Sequence, residues 1–583
     1  VKRRVFLALP AALATPLCSQ APEDDVVLKA LRDELKRARD LKLPGTDPIY
    51  YVEFALDDLE SISASASLGA LLRSHSSRSR IPRLQVRVGD HSFDNSNYVF
   101  TDFFVRPGGQ TPLEDNYDVL RHYFWLAADR TFKGSVEAIA RKRSALRNVT
   151  QQEKLNDFAK AEPYQYHAAR SKAVRKDDEW RKLARELSAV FLDFPKITGS
   201  QVDVEIGYST SYLVNTEGTE LRFPDNLFYV RARASAQAAD GMPVRDATVF
   251  LSRTLERLPD SAALRHGVLD VARHVTVLAS APVGEDYSGP VLVEGMASGQ
   301  LFAHVVGANL GLTRRPVTEP GRPAPAPANE FEGRIGSKIL PEWLDVIDDP
   351  SSEEWNREQL QGTYAVDMEG VVPKPLTVIE KGTLKALLLT RQPVRGFEGS
   401  NGRARLPGAF GAKAAVFSNL IVKAGETSSP GELKKKLLEM ISQRGKPHGL
   451  IIRKFDFPFA GSFDELRRLG AAAGQRGSSR PSILPALAFR VYPDGREELV
   501  RGLRLRSLNV RSLRDIAAAG SSESIFHFIG NGTPIPMMAT SGYISTHSVV
   551  APSVLFEDLE LDKREEDWPK LPLVPPPDLP SVP

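Results

Sequence analysis

Hydrophobic positions along the first third of the chain alternate between helical and strand spacing. Val27, Leu31 and Leu35 fall on one face and Lys29, Arg32, Lys36 and Arg39 elsewhere, which predicts an amphipathic helix over 24–42. Strand-like runs follow at 49–55 and 61–71, with the acidic pair Asp57-Asp58 expected to turn a hairpin between them. A third run, 84–88, has apolar residues at alternate positions and is closed by Gly89-Asp90. Helices are expected over 113–129, 132–147 and 179–192. From Val202 the pattern turns β-rich, with runs at 202–208, 210–215 and 226–236, then a helix over 261–279. At the centre, the apolar run 290–293 passes through Glu294-Gly295 into a helix bearing Leu301, Phe302, Val305, Val306 and Leu310.

The second half is punctuated by turns. A proline-rich stretch, 318–329, reads as an extended loop that is a lid, a partner contact or a tolerated insertion. Strands at 376–380 and 384–390 flank the turn Lys381-Gly382. A helix at 431–444, a strand at 449–455 and a hairpin over 492–505 with Asp494-Gly495 at its turn come next. A last strand is expected over 551–561, and 568–583 is a proline-rich tail. Helix, strands, helices and strands in that order give an α+β fold with a mixed, antiparallel-sheet domain first and a larger β-rich domain after it. The expected divisions are a leader at 1–21, domains at 22–200 and 201–565, and a tail at 566–583.

Length and charge narrow the partners. At 583 residues two domains are the natural expectation. The 76 basic and 73 acidic residues leave a formal charge of +3, which gives no electrostatic footprint for nucleic acid. The cluster Arg141-Lys142-Arg143 accordingly reads as an exposed helix face. The single cysteine, Cys18, rules out an internal disulfide and any cysteine-built zinc site in the body of the chain. Lys2, Arg3 and Arg4 precede an apolar run over 5–17, the layout of a secretory signal peptide, so export to the periplasm with cleavage of the leader is expected, ahead of a lipid anchor at Cys18 or a buried N-terminal helix. No other stretch approaches the ~20 apolar residues of a membrane span.

The central helix, the segment Asp367-Met368-Glu369-Gly370 with its following hairpin, Ser400-Asn401-Gly402-Arg403, and Ser418-Asn419 form an ordered series of motifs. In that order and spacing they resemble the TldD/PmbA family (peptidase family U62, described as modulators of DNA gyrase). The resemblance runs over about 270 residues, from the central segment to the last strand. It implies a zinc-dependent peptidase whose central helix carries H-E-x-x-x-H, two histidines and a later cysteine binding zinc and the glutamate acting as base. Here Ala303 and Ala308 stand at the histidine positions and His304 at the glutamate position. The cysteine position falls near Met538-Ala539-Thr540, without a thiol. Because five residues exceed one helical turn, the second ligand position is expected where the helix ends. A replacement set of His304, His547 and Glu294, with Asp367 as a further carboxylate, is the alternative metal site. Asn401, Gly402, Arg403 and Asn419 are candidates for peptide binding, against a purely turn-forming and anchoring role.

Three functions remain open at this point. The first is a zinc-less, non-catalytic homologue that binds or presents unfolded peptide, paired with a TldD-like paralogue and needing no cofactor of its own. The second is a metallopeptidase with non-standard ligands. The third is a homodimeric peptide-binding protein of the cell envelope. None involves nucleic acid.

Overall fold

The computed structural model describes residues 25–99, 111–147, 154–319, 321, 329–407, 412–456, 483–506, 508–530, 545–566, 568–570 and 572. The expected signal sequence with Cys18, the Met538–Thr540 position and most of the two proline-rich stretches lie outside these residues.

Helix α1 (Val26–Arg39) starts where Asp25 accepts from the Leu28 amide at 3.0 Å, an N-cap that satisfies one orphan donor. Strand β1 (Ile49–Ser67) then runs 19 residues without a break and pairs with the equally long β2 (Ala70–Val88). Asp57-Asp58 is therefore mid-strand, and the hairpin turns at Leu68-Gly69, both in the left-handed region (φ 49° and 79°) that two-residue hairpin turns require. The acidic pair stays in the sheet because arginines of β2 meet it. Arg83 bridges Asp57 and Arg80 bridges Asp58, all four side chains being nearly buried.

The two helices expected over 113–147 are one, α2 (Tyr117–Leu146). Its buried stripe Phe124, Ala127, Ala128, Thr131, Phe132 and Ser135 carries the helical period straight through the expected break. Lys142, read as part of an exposed basic face, points inward instead. Its ammonium donates to Asp157 at 2.5 Å and to the carbonyls of Ser96 and Asp94 at 2.8 and 3.0 Å. Strand β3 (Gln165–His167), helix α3 (Asp177–Ala189), β4 (Gly199–Asn215), β5 (Glu220–Pro224), β6 (Leu227–Gln237), β7 (Pro243–Ser252) and helix α4 (Ser261–Leu278) complete the first unit. The first sheet runs β2-β1-β4-β5-β3, with β6 and β7 continuing from β4. A domain boundary at 200/201 would cut β4. The first sheet extends to Ser252, and α4 packs on it.

Alternation along these strands assigns the two faces. Val52, Phe54, Leu56, Tyr212 and Val214 pack against α1 and α2, and Ile62, Ala64, Val202, Val204 and Ile206 pack in the core that α3 and α4 complete. The intervening residues of β1, Glu53, Ala55 and Asp57, face the second domain.

That domain opens with β8 (Tyr287–Val293), followed by helical α5 (Met296–Phe302) and α6 (Ala308–Leu310). Its strands are β9 (Leu344–Asp348), the hairpin β10 (Glu354–Trp355) and β11 (Glu358–Gln359), β12 (Leu376–Glu380) and β13 (Thr383–Leu384). Next come the hairpin β14 (Ala404–Pro407) and β15 (Lys413–Ala415), then β16 (Asn419–Ala424), β17 (Gly449–Phe455), β18 (Pro485–Val491) and β19 (Glu497–Val500). The last are β20 (Leu503–Leu505), β21 (Ile516–Ile529) and β22 (Thr546–Lys563). The strand expected over 384–390 ends after Leu384. The main sheet is ordered β13-β12-β9-β16-β22-β8-β17-β18-β19, with β20 and β21 also on β22. Helix α7 (Pro430–Gln443) has a capping box between Ser429 and Glu432 and packs Leu433, Leu437 and Ile441 on the sheet. Among the described residues no helix is long and apolar enough to cross a membrane.

Candidate functional site

β8 is the inner strand on which the site rests. It is antiparallel to β22 and parallel to β17, and its Pro290-Val291-Leu292-Val293 run is buried on both faces. After Gly295 the chain turns into α5. Between α5 and α6 lies one π-helical turn, Ala303–Gly307. The Ala308 amide donates to the Ala303 carbonyl across five residues. In an α-helix residues five apart point about 140° away from each other. The widened turn brings 303 and 308 back toward one side, so the two positions are joined by a bulge within the helix as well as lying near its end. Such bulges concentrate at functional sites.

Neither position carries a donor atom. Ala303 is buried in the main core and Ala308 is exposed, while His304 between them is half-buried. Gly307 permits the packing that holds this turn. A Cβ there would sit 2.4 Å from Cε1 of Phe417. The Phe417 ring in turn lies 4.5 Å from that of His547 and 6.0 Å from Phe528.

His547 is 2% exposed, and its Nε2 shares a 2.6 Å hydrogen bond with the Ser545 hydroxyl. Burial, and then the Arg405 charge, push its pKa well below the ordinary imidazole value, so it is neutral. Phe417 stands between it and the helix end. Glu294 lies elsewhere. It pairs with Arg453 at 2.5 Å, and its neighbour Val293 is opposite Val554, seven residues along β22 from His547. At about 3.3 Å per residue that is roughly 20 Å. His304, His547 and Glu294 are thus not brought together, and among the described residues no three His, Cys, Asp or Glu side chains are placed to hold a metal. The residues present do not fit zinc at this helix.

The four candidate peptide-binding residues spend their polar atoms on loops. Asn401 accepts from the Leu389 amide at 2.9 Å and donates to the Leu387 carbonyl at 2.8 Å, replacing a strand partner. Gly402 has φ 77°, and a Cβ would meet the Pro373 backbone at 2.8 Å. Arg403 is wholly buried, donating to Asp348 at 2.6 Å and to the carbonyls of Asn401 and Lys374 at 2.6 Å each. Asn419 donates to the carbonyls of Asp349 and Ser352 and accepts from the Gly362 amide.

Two residues beyond Arg403, the chain reaches a cavity of about 110 Å³ between the two sheets. Glu53 and Asp57 of β1 and Ser211 of β4 form one wall, and Tyr364, Asp367, Arg405, Lys413 and Thr546 form the other. Lys413 crosses the gap to Glu53 at 2.6 Å, and Tyr51 donates to the other Glu53 oxygen at 2.7 Å. Asp367 accepts three amides, those of Glu369, Val371 and Ala404, at 2.9 to 3.0 Å. Burial, reinforced by the Glu369 charge, nevertheless pushes its pKa up to about 7. Arg405 lies 4.7 Å over the Tyr364 ring and donates to the carbonyls of Phe417 and Thr546 at 2.8 and 3.0 Å. Apart from Asp367, sequence reasoning missed these residues. The available signal was Glu53 and Asp57 alternating with apolar residues in a strand that needs both faces covered.

Comparison with known proteins agrees with this layout. Residues 287–456, from β8 to the end of β17, match the PmbA/TldA metallopeptidase C-terminal domain. A metalloprotease of Methanothermobacter thermautotrophicus is 36% identical over 101 residues, 17% of this chain and 20% of that protein, so the match spans about a fifth of the relative's length. TldE from Thermococcus kodakarensis superposes with a TM-score of 0.55 at 13% identity, covering 92% of this chain and all of that one. A protein from Thermotoga maritima described as a modulator of DNA gyrase gives 0.53 at 16% identity over 88% of this chain and 96% of its own. At these identities the two structures speak for the fold alone. Taken with the matched C-terminal domain over residues 287–456, they support membership of the TldD/PmbA family.

Proposed function

We propose that this chain is a zinc-less member of its family, a non-catalytic subunit or homologue that binds or presents unfolded peptide. The observation that carries the reading is the π-turn. It keeps positions 303 and 308 linked, yet both are alanine, and the nearest buried imidazole, His547, is walled off by Phe417. A metal needs several donors converging on one point, and two methyl groups supply none. Likeness in fold to TldE supports assembly with a metal-bearing TldD-like paralogue, a homodimer being the other arrangement. Export to the periplasm belongs to the same proposal and rests on the pattern over 1–21.

The test is the zinc content of the purified protein by elemental analysis after dialysis against trace zinc. Less than about a tenth of an equivalent per chain is expected, since a built site holds zinc too tightly to be lost on dialysis. Close to one equivalent, lost on substituting His304 or His547, would overturn the proposal in favour of an active metallopeptidase with non-standard ligands.

A further inference from the structure

Four cations and four carboxylates line the cavity between the sheets, and their pairing is uneven. Arg83 is bound to Asp57, Arg253 to Asp225 at 3.1 Å, and Lys413 to Glu53 at 2.6 Å. Asp367 is taken up by three backbone amides. Arg405 is left over. Its guanidinium uses two of five N–H groups on carbonyl oxygens, and no carboxylate among the described residues lies within ion-pairing distance.

The guanidinium is half-buried, and the charges of Asp348 and Asp225 reach it only from beyond ion-pairing distance; a cation so placed is costly unless paired or positioned to meet a ligand. Tyr364 holds the guanidinium by its face, a contact that leaves the donor edge available. With Asp367 titrating at about 7, part of the cavity's negative charge is suppressed near neutrality, which favours an incoming anion. Space also fits. The volume of about 110 Å³ is smaller than the ~150 Å³ cavity that accepts benzene, and so suits a carboxyl group with a few attached atoms.

We propose that Arg405 makes this cavity a carboxylate-binding site, the planar guanidinium taking one carboxylate from the C-terminal end of a short peptide or from a small free acid. Arginine's fork matches a carboxylate in two parallel hydrogen bonds, which a peptide amide cannot imitate. The position suits a peptide-handling protein. Arg405 bonds the backbone of Phe417 and Thr546, the residues flanking His547 and the π-turn. The choice of a peptide as source rests on the function proposed above; the carboxylate chemistry does not.

Calorimetric titration of the full chain with tri-alanine, tri-alanine amide and succinate tests it. Tri-alanine is expected to bind at least about tenfold more tightly than its amide, and Arg405→Gln to erase that difference. Arg405→Lys, which keeps the charge, should retain part of it, and thermal melts report whether each variant folds. If Arg405→Gln does not fold, the acid–amide comparison in the wild type and in Arg405→Lys still decides. Acid and amide binding equally well would overturn the carboxylate site and leave peptide binding standing. Succinate binding without either tripeptide would uphold the site and overturn the peptide reading. No binding by any of the three to the wild type would overturn the site outright.

Discussion

Replacing Arg403 with methionine separates an anchor from a clamp. The Arg403–Asp348 pair is fully buried on both sides, and among the described residues the Asp348 carboxylate has only the Ser418 amide and hydroxyl, at 2.6 and 2.7 Å, as further partners. Methionine keeps much of the stem volume but strands the Asp348 carboxylate and removes the donors on the carbonyls of Asn401 and Lys374. Breaking one side of such a pair costs about 3–5 kcal/mol, because a buried charge is left uncompensated. With a urea slope of ~3 kcal/mol/M, the denaturation midpoint should fall by about 1–1.7 M. Arg403→Lys should fall between, since an ammonium cannot reproduce a fork that reaches Asp348, Asn401 and Lys374 together. Adding Asp348→Asn to Arg403→Met should recover part of the loss, because the stranded charge is then gone. An anchoring role is refuted if Arg403→Met loses under ~1 kcal/mol of stability while its affinity for a peptide collapses. That pattern would make the guanidinium a clamp on ligand.

Two further outcomes follow from the packing around the helix. Gly307→Ala places a methyl 2.4 Å from Phe417 Cε1 and should cost about 1–3 kcal/mol, partly restored by adding Phe417→Leu; an unchanged melting temperature would contradict the close approach. His547 is held neutral, its folded pKa depressed, so only the unfolded chain takes up that proton as pH falls below ~6.5. Its share of stability is therefore present above that value and lost below it, by about 1.4 kcal/mol per pH unit. His547→Phe should flatten the acid limb of the stability curve by that slope, and parallel curves for variant and wild type would count against it.

Legibility in the sequence depended on range. The helix expected over 431–444 is α7 within a residue at each end, and β17 was bounded correctly at 449–455, because helical periodicity and short apolar runs are local. Asp57-Asp58 misled because its partners, Arg80 and Arg83, lie across a hairpin and cancel the turn-forming character of the pair. Lys142 misled in the same way, since nothing near it in sequence shows that Asp157 and two carbonyls wait inside. At the site, the motif resemblance pointed to residues 303–308, where the helix carries its π-turn. The cavity was not, because Lys413 and Glu53 are 360 residues apart and meet only when the two sheets do.

The π-turn is held by packing around it and not by the side chains it presents. An α-helical turn is better hydrogen-bonded than a π-turn, so something outside the ladder must hold the bulge. In this chain the core does so. Asn309 turns its side-chain amide back onto the Val305 carbonyl at 2.8 Å, the acceptor that the Asn309 backbone amide would use in a regular helix, and takes the Glu330 amide on its oxygen at 3.0 Å. Phe417 presses against Gly307 from one side, and Phe526 lies where a side chain on Gly299 would have to go. None of these contacts involves the atoms of residues 303 or 308. The backbone geometry that links the two positions is thus set by the core and not by what the positions carry, so imidazoles can be exchanged for methyl groups without releasing the turn.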